Sequence, residues 1–178
     1  MPTPGTDLLA PLRRFYEADA LISFVGAETL PEGERRLLVH DGDMTSRLAA
    51  HHGSVMTLEA HEMTVADGYL HRVSILRRRD TGAAVEFGAI RIALDGFAAG
   101  PRGQIERAEL PLGAVLVENA IPFTSHPGGF FSIGATAYLT EYLGASAGQV
   151  LYGRCNRLRH GDGRLLADVV EILPPVSA

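Results

Sequence analysis

Two residues in this chain carry charge on strand faces that are otherwise apolar. In the stretch Tyr69-Leu70-His71-Arg72-Val73-Ser74-Ile75-Leu76, a period of two puts Arg72 between Leu70, Ser74 and Leu76. Near the other end, Leu165, Ala167, Val169, Glu171 and Leu173 share one face, with Glu171 the polar exception. Asp168 holds the equivalent position on the opposite face, among Leu166, Val170 and Ile172. An arginine fork in apolar surroundings suits a carboxylate, through two parallel charge-assisted hydrogen bonds. A carboxyl group in the same surroundings tends to keep its proton and can give it away. The preceding strand offers Arg154, Arg157 and Arg159 as partners, so a structural ion pair at the end of a sheet is the competing reading of Glu171. Together these residues point to a pocket for a small acidic molecule.

Other chemistries find less support. The seven histidines include the pair His51-His52 and a Glu59-x-His61 alternation, but no recognised zinc spacing, so no metal is expected. Cys155, the single cysteine, has no partner pattern for nucleophilic catalysis and reads as sheet filling. The glycines of His160-Gly161-Asp162-Gly163 belong to a hairpin turn and not to a phosphate loop.

The chain has 178 residues, 46% of them hydrophobic, and a net charge of −5, which disfavours nucleic acid as a partner. No apolar run approaches the roughly 20 residues that span a bilayer. The start, Met-Pro-Thr-Pro-Gly-Thr-Asp, has neither a basic nor an apolar leader segment, and a cytoplasmic protein is expected.

The elements that must position Arg72 and Glu171 are readable in part. Thr6 or Asp7 opens a helix over residues 7–18, with Pro11 either in its first turn or delaying its start. Residues 19–40 give no clear period, and Leu30-Pro31-Glu32-Gly33 reads as a break. Asp43 caps a helix from Met44 to His52 that stops at Gly53. Strands follow from about Val55 to Glu62, over Tyr69–Arg78 and over Ala83–Leu94, with turns at Ala66-Asp67-Gly68 and Asp80-Thr81-Gly82. Arg77-Arg78-Arg79 reads as a solvated strand end. A short helix is expected at Gln104–Glu109, and Pro111 suits the first turn of another. Ile121–Ile133 reads as extended, with a break at Pro127-Gly128-Gly129, and Thr136–Leu143 as a helix. A hairpin with arms Val150–Arg159 and Leu165–Leu173 closes the chain. About six strands joined by turns or short helices predict one α+β domain with an antiparallel sheet over residues 1–178.

Several short motifs, in order and at fitting spacing, resemble the chorismate lyase (chorismate pyruvate-lyase) family in a divergent form. They are Asp43-Met44-Thr45, Tyr69-Leu70-His71-Arg72, Pro111-Leu112-Gly113 and Leu151-Tyr152-Gly153-Arg154-Cys155-Asn156-Arg157, and the likeness runs from about Leu37 to Pro174. The resemblance implies cleavage of chorismate to 4-hydroxybenzoate and pyruvate without a cofactor. It implies that Arg72 binds a substrate carboxylate, that Met44 and Leu112 line the pocket, and that Glu171 is the catalytic acid. Arg154 and Arg157 would add a second carboxylate contact. The chain departs from the family pattern at Val73, which replaces a glutamate, and at Ala89, which replaces an arginine. The last strand aligns in more than one register, leaving Glu171 and Asp168 as rival pocket acids. The same fold also serves as the ligand-sensing domain of transcription regulators, so a non-catalytic binder of aromatic or cyclohexadienyl carboxylates is the alternative, as is a lyase for a related acid.

Overall fold

A computed structural model describes residues 7–17 and 21–176. The chain forms α1 (Ala10–Arg13), β1 (Ile22–Val25), α2 (Glu32–Leu38), α3 (Met44–His52), β2 (Met56–Ala66), β3 (Tyr69–Arg78), β4 (Ala84–Ala93), α4 (Ala99–Arg107), α5 (Leu112–Glu118), β5 (Phe123–Gly134), α6 (Ala137–Leu143), β6 (Val150–His160) and β7 (Leu165–Ile172). The strands make one sheet in the order β1-β5-β6-β7-β4-β3-β2, and every neighbouring pair is antiparallel. Two meanders, β2-β3-β4 and β5-β6-β7, are joined edge to edge by the β4–β7 pair.

The α+β class and the antiparallel sheet agree with the sequence reading, but the sheet has seven strands where about six were expected. The additional strand is β1, whose four residues lie along Phe130–Ile133 of β5. Four residues are too few to show a period, and β1 is fixed by that pairing. Helix α2 also fell in the unread stretch. It begins at Glu32, inside the break expected at Leu30–Gly33, with Glu32 and Glu34 in its first turn and Leu37 and Leu38 buried. Helix α4 starts at Ala99, five residues before the expected Gln104, and ends at Arg107 instead of Glu109. The expected break at Pro127-Gly128-Gly129 is a shift of register within a continuous β5. Thr6 and Ala18, at the ends of the first expected helix, lie outside the described residues.

One face of the sheet is closed by α1 and α6, whose Leu12, Leu139 and Leu143 pack on Val73, Ile75, Phe87, Phe131 and Ile172. The other face carries two apolar clusters. One gathers Leu70, Ile90, Ile92 and Leu158 with Leu112, Val115 and Leu116 of α5. The second gathers Leu76, Val85 and Leu173 with Leu37, Leu38, Met44 and Leu48 of α2 and α3. Between them lies a strip of buried polar residues.

Two glycines explain two of the sequence motifs. A Cβ on Gly153 would stand 2.4 Å from the Glu171 carbonyl oxygen and 2.5 Å from the Phe131 ring, so only glycine allows this approach of β6 to its neighbours. A Cβ on Gly113 would stand 2.3 Å from Asp43 Oδ2, so Gly113 lets the start of α5 lie against the start of α3. Asp43 itself caps α3, accepting a hydrogen bond from the Ser46 N–H at 2.8 Å, and Gly53 ends the helix at φ 60°. No helix among the described residues is long and apolar enough to cross a membrane.

Candidate functional site

The register of the four central strands sets side chains of the inner face in rows. Arg72, Ile90, Val169 and Asn156 form one row across β3, β4, β7 and β6. Ser74, Gly88, Glu171 and Arg154 form the next. Leu76 and Glu86 begin a third. Over these rows lie the N-terminal ends of α3 (Met44, Thr45) and α5 (Leu112, Gly113), with their preceding residues Asp43 and Pro111, and the space between is a cavity of about 50 Å³. That is far smaller than the roughly 300–1,000 Å³ of an ordinary ligand pocket. A ring-sized ligand therefore needs Met44 or Leu112 to move aside.

Arg72 is 3% exposed, forms no ion pair among the described residues, and its Nε–H has no acceptor. Burial lowers its pKa to about 10, so at neutral pH it remains a cation. A buried guanidinium without a counter-ion is costly, and a ligand anion would remove that cost.

Glu171 lines the cavity, and its Oε2 accepts a hydrogen bond from Arg154 Nε at 2.5 Å. Arg154 is completely buried and donates further to the carbonyls of Leu38 (3.1 Å), His40 (3.0 Å) and Gly42 (3.1 Å). Its donors tie the link between α2 and α3 to the sheet, so Arg154 does not supply the second carboxylate contact that the sequence suggested. Asn156 and Ser125 reinforce the same link. The Asn156 amide donates to Ser125 Oγ at 2.8 Å, and the Ser125 hydroxyl donates to the Gly42 carbonyl at 3.1 Å.

Arg157 is a clearer correction. It lies on the opposite face of the sheet, where its Nε donates to Asp168 Oδ1 at 2.6 Å while Arg91 Nη2 donates to Oδ2 at 2.5 Å. Residues three apart on a strand face opposite ways, so Arg154 and Arg157 cannot share a pocket. The same alternation removes Asp168 from the cavity and leaves Glu171 in its wall. Of the residues expected from sequence, Arg72, Glu171, Met44 and Leu112 are brought together, while Arg154 stands behind the cavity and Arg157 beyond the sheet. Cys155 faces the other core, where burial first and then the Glu171 charge push its thiol up to about 12, so it stays protonated.

The residue that sequence reasoning missed is Glu86. It lines the cavity at 5% exposure, and its Oε2 has no hydrogen-bond partner among the described residues. Burial, reinforced by the negative charge of Glu171, raises its pKa well above the ordinary carboxylate range, with Arg154 acting in the opposite sense. A signal was present: Val85-Glu86-Phe87-Gly88-Ala89-Ile90 places a lone carboxyl in an apolar strand, as at Glu171.

This burial has a pH signature. The folded protein holds the Glu86 proton above pH 4.5, the ordinary value, where the unfolded chain releases it. Stability contributed by protonated Glu86 is thus fully present below pH 4.5 and is lost as pH rises through the folded value. His40 acts from the other direction. Burial and the nearby Arg154 charge lower its pKa from 6.5 to about 4, so its contribution is present above pH 6.5 and lost as pH falls towards 4. Because Glu86→Gln keeps His40, the difference in urea midpoint between this variant and the wild type isolates the carboxyl. That difference should grow in favour of the variant as pH rises above 4.5. A difference independent of pH would show that Glu86 ionises as an ordinary surface carboxylate.

Comparison with solved structures assigns the fold. PhnF from Mycobacterium smegmatis superposes with a TM-score of 0.60 at 16% identity, covering 94% of this chain and 77% of that one. The effector domain of the same protein gives 0.59 at 16% identity, with 75% and 88% covered. This is the fold of GntR-family effector domains, and it is related to that of chorismate lyase. A possible transcriptional regulator, YydK from Bacillus subtilis, gives 0.53 at 10% identity over 69% of this chain, which spans 61% of the YydK chain. No protein-family model matches the sequence, and no curated protein matches it significantly.

Proposed function

We propose that this chain binds a small aromatic or cyclohexadienyl carboxylate between its central sheet and the starts of α3 and α5, as an effector-type domain does. The observation that carries the reading is Arg72, a buried cation without a partner among the described residues, whose charge a ligand carboxylate would neutralise. The likeness to the effector domain of PhnF supports a binding role for the fold.

A second reading, a carbon–oxygen lyase acting on chorismate, is favoured by the carboxyl groups of Glu171 and Glu86 in the same cavity wall as Arg72. In that reaction the enolpyruvyl C–O bond breaks, a ring proton is lost, and the ring becomes aromatic. The departing enolpyruvate takes a proton at its methylene carbon and leaves as pyruvate. Arg72 would orient the ring carboxylate and the apolar wall would exclude water. Glu86 is the carboxyl better placed to hold a proton, because Glu171 is engaged with Arg154.

One experiment separates the two. The protein is incubated with chorismate while pyruvate and 4-hydroxybenzoate are assayed, and 4-hydroxybenzoate is titrated by calorimetry. Saturable binding without turnover is the expected result. Turnover lost in Arg72→Met would establish the lyase, and neither binding nor turnover would defeat both readings.

A further inference from the structure

Arg72 and Glu86 both line the cavity, from different rows of its floor. Arg72 stands in the first row on β3, and Glu86 pairs with Leu76, four positions further along the same strand. That offset is roughly 13 Å of strand. Ser74 and Gly88 lie in the row between them, and Gly88, which has no side chain, leaves room for the Glu86 carboxyl, whose Oε1 would stand 3.2 Å from a Cβ there. Two polar atoms have unused hydrogen-bonding capacity among the described residues, the Nε–H of Arg72 and Oε2 of Glu86. A buried polar atom without a partner is uncommon in a folded protein and asks for an explanation. Both residues line the same cavity, and a flat ring enters it once Met44 or Leu112 moves aside.

We propose that Glu86 is a specificity residue of this cavity: its carboxyl donates a hydrogen bond to an uncharged oxygen at the ligand end remote from Arg72. The site then takes carboxylates that carry a hydroxyl or carbonyl opposite the acid, and refuses those with a second anion there. The refusal comes from charge already present. Glu171 and Asp43 lie close enough to Glu86 for their charges to oppose its ionisation, and a dianionic ligand would meet the same repulsion. An ammonium at that end would require Glu86 to ionise in a fully buried position, which the same groups disfavour. The inference rests on the reading of Arg72 as the carboxylate anchor.

The test compares benzoate, 4-hydroxybenzoate and terephthalate by calorimetry on the wild type, Glu86→Gln, Glu86→Leu and Arg72→Met. For the wild type, 4-hydroxybenzoate should bind about fivefold more tightly than benzoate, the effect of one neutral hydrogen bond. Terephthalate should bind more weakly than either. Glu86→Gln keeps a donor of the same shape and should retain the preference. Glu86→Leu should reduce it to near parity. Benzoate binding also confirms that the leucine variant is folded. If all three acids bind alike, or if the preference survives in Glu86→Leu, Glu86 has no such role and the Arg72 reading stands. If benzoate binds Arg72→Met as well as wild type, or binds no form of the protein, the anchor itself fails and this inference falls with it.

Discussion

Arg72→Met should weaken the binding of 4-hydroxybenzoate by on the order of a hundredfold and, in the ligand-free protein, raise the melting temperature by several degrees. The two effects have one cause. Arg72 is 3% exposed, has no ion pair among the described residues, and remains charged at neutral pH although burial brings its pKa to about 10. Losing one member of a buried charge pair in a complex costs about 2–5 kcal/mol. A hundredfold loss, about 2.7 kcal/mol, lies in the lower half of that range. In the absence of ligand the balance reverses, because an apolar side chain of similar volume replaces a desolvated cation, a gain of roughly 1–3 kcal/mol. Function and stability then move in opposite directions, as at other sites where binding requires a locally unfavourable group. Arg78 serves as the control. It is paired with Asp80 at the end of β3, and Arg78→Ala should leave both quantities near wild type. A cation that merely held the sheet together would behave differently, with the melting temperature falling and the affinity unchanged. Similar behaviour of the Arg72 and Arg78 variants would remove the distinction between a buried anchor and an edge charge.

The largest stability loss should come from Arg154→Met, about 3–5 kcal/mol by urea unfolding. The substitution leaves Glu171 as a buried carboxylate without its guanidinium and removes the donor to the carbonyls of Leu38, His40 and Gly42. Those carbonyls lie on the link that sets the start of α3, and hence Asp43 and Met44, over the cavity. Glu171→Gln introduced into Arg154→Met should recover part of the loss, because the stranded charge is then gone. The double variant should fall short of wild type because the carbonyls remain unpaired. A cost for Arg154→Met below about 1 kcal/mol, together with a large loss of affinity, would mean that Arg154 serves the ligand and not the fold.

The contrast between these two arginines shows how far the chain can be read by itself. Both lie mid-strand among apolar residues, and the sequence suggested the same carboxylate-binding task for each. Their positions along β3 and β6 were legible, since strand alternation is local. Their partners were not. Arg154 meets carbonyls 112 to 116 residues earlier in the chain, whereas among the described residues no such group reaches Arg72. Arg157 is a different case. Its separation of three from Arg154 was enough to put it on the far face, and the motif that joined the two obscured a rule the sequence already contained.

Local signals therefore determined much of this protein: the Asp43 cap, the stops at Gly53 and Gly144, the alternation of β3 and β7, and the hairpin between β6 and β7. These depend on backbone preferences and side-chain periods within a few residues, which amino-acid types express directly. The pairing of β4 with β7 depended on the tertiary structure. It places Gly88 opposite Glu171, brings Glu86 to the same cavity, and turns Arg72 from an isolated strand residue into one end of a site. The two strands are separated by more than seventy residues of chain, so no local preference encodes their contact. Burial of both faces of the sheet brings them together, and that is a property of the packed whole.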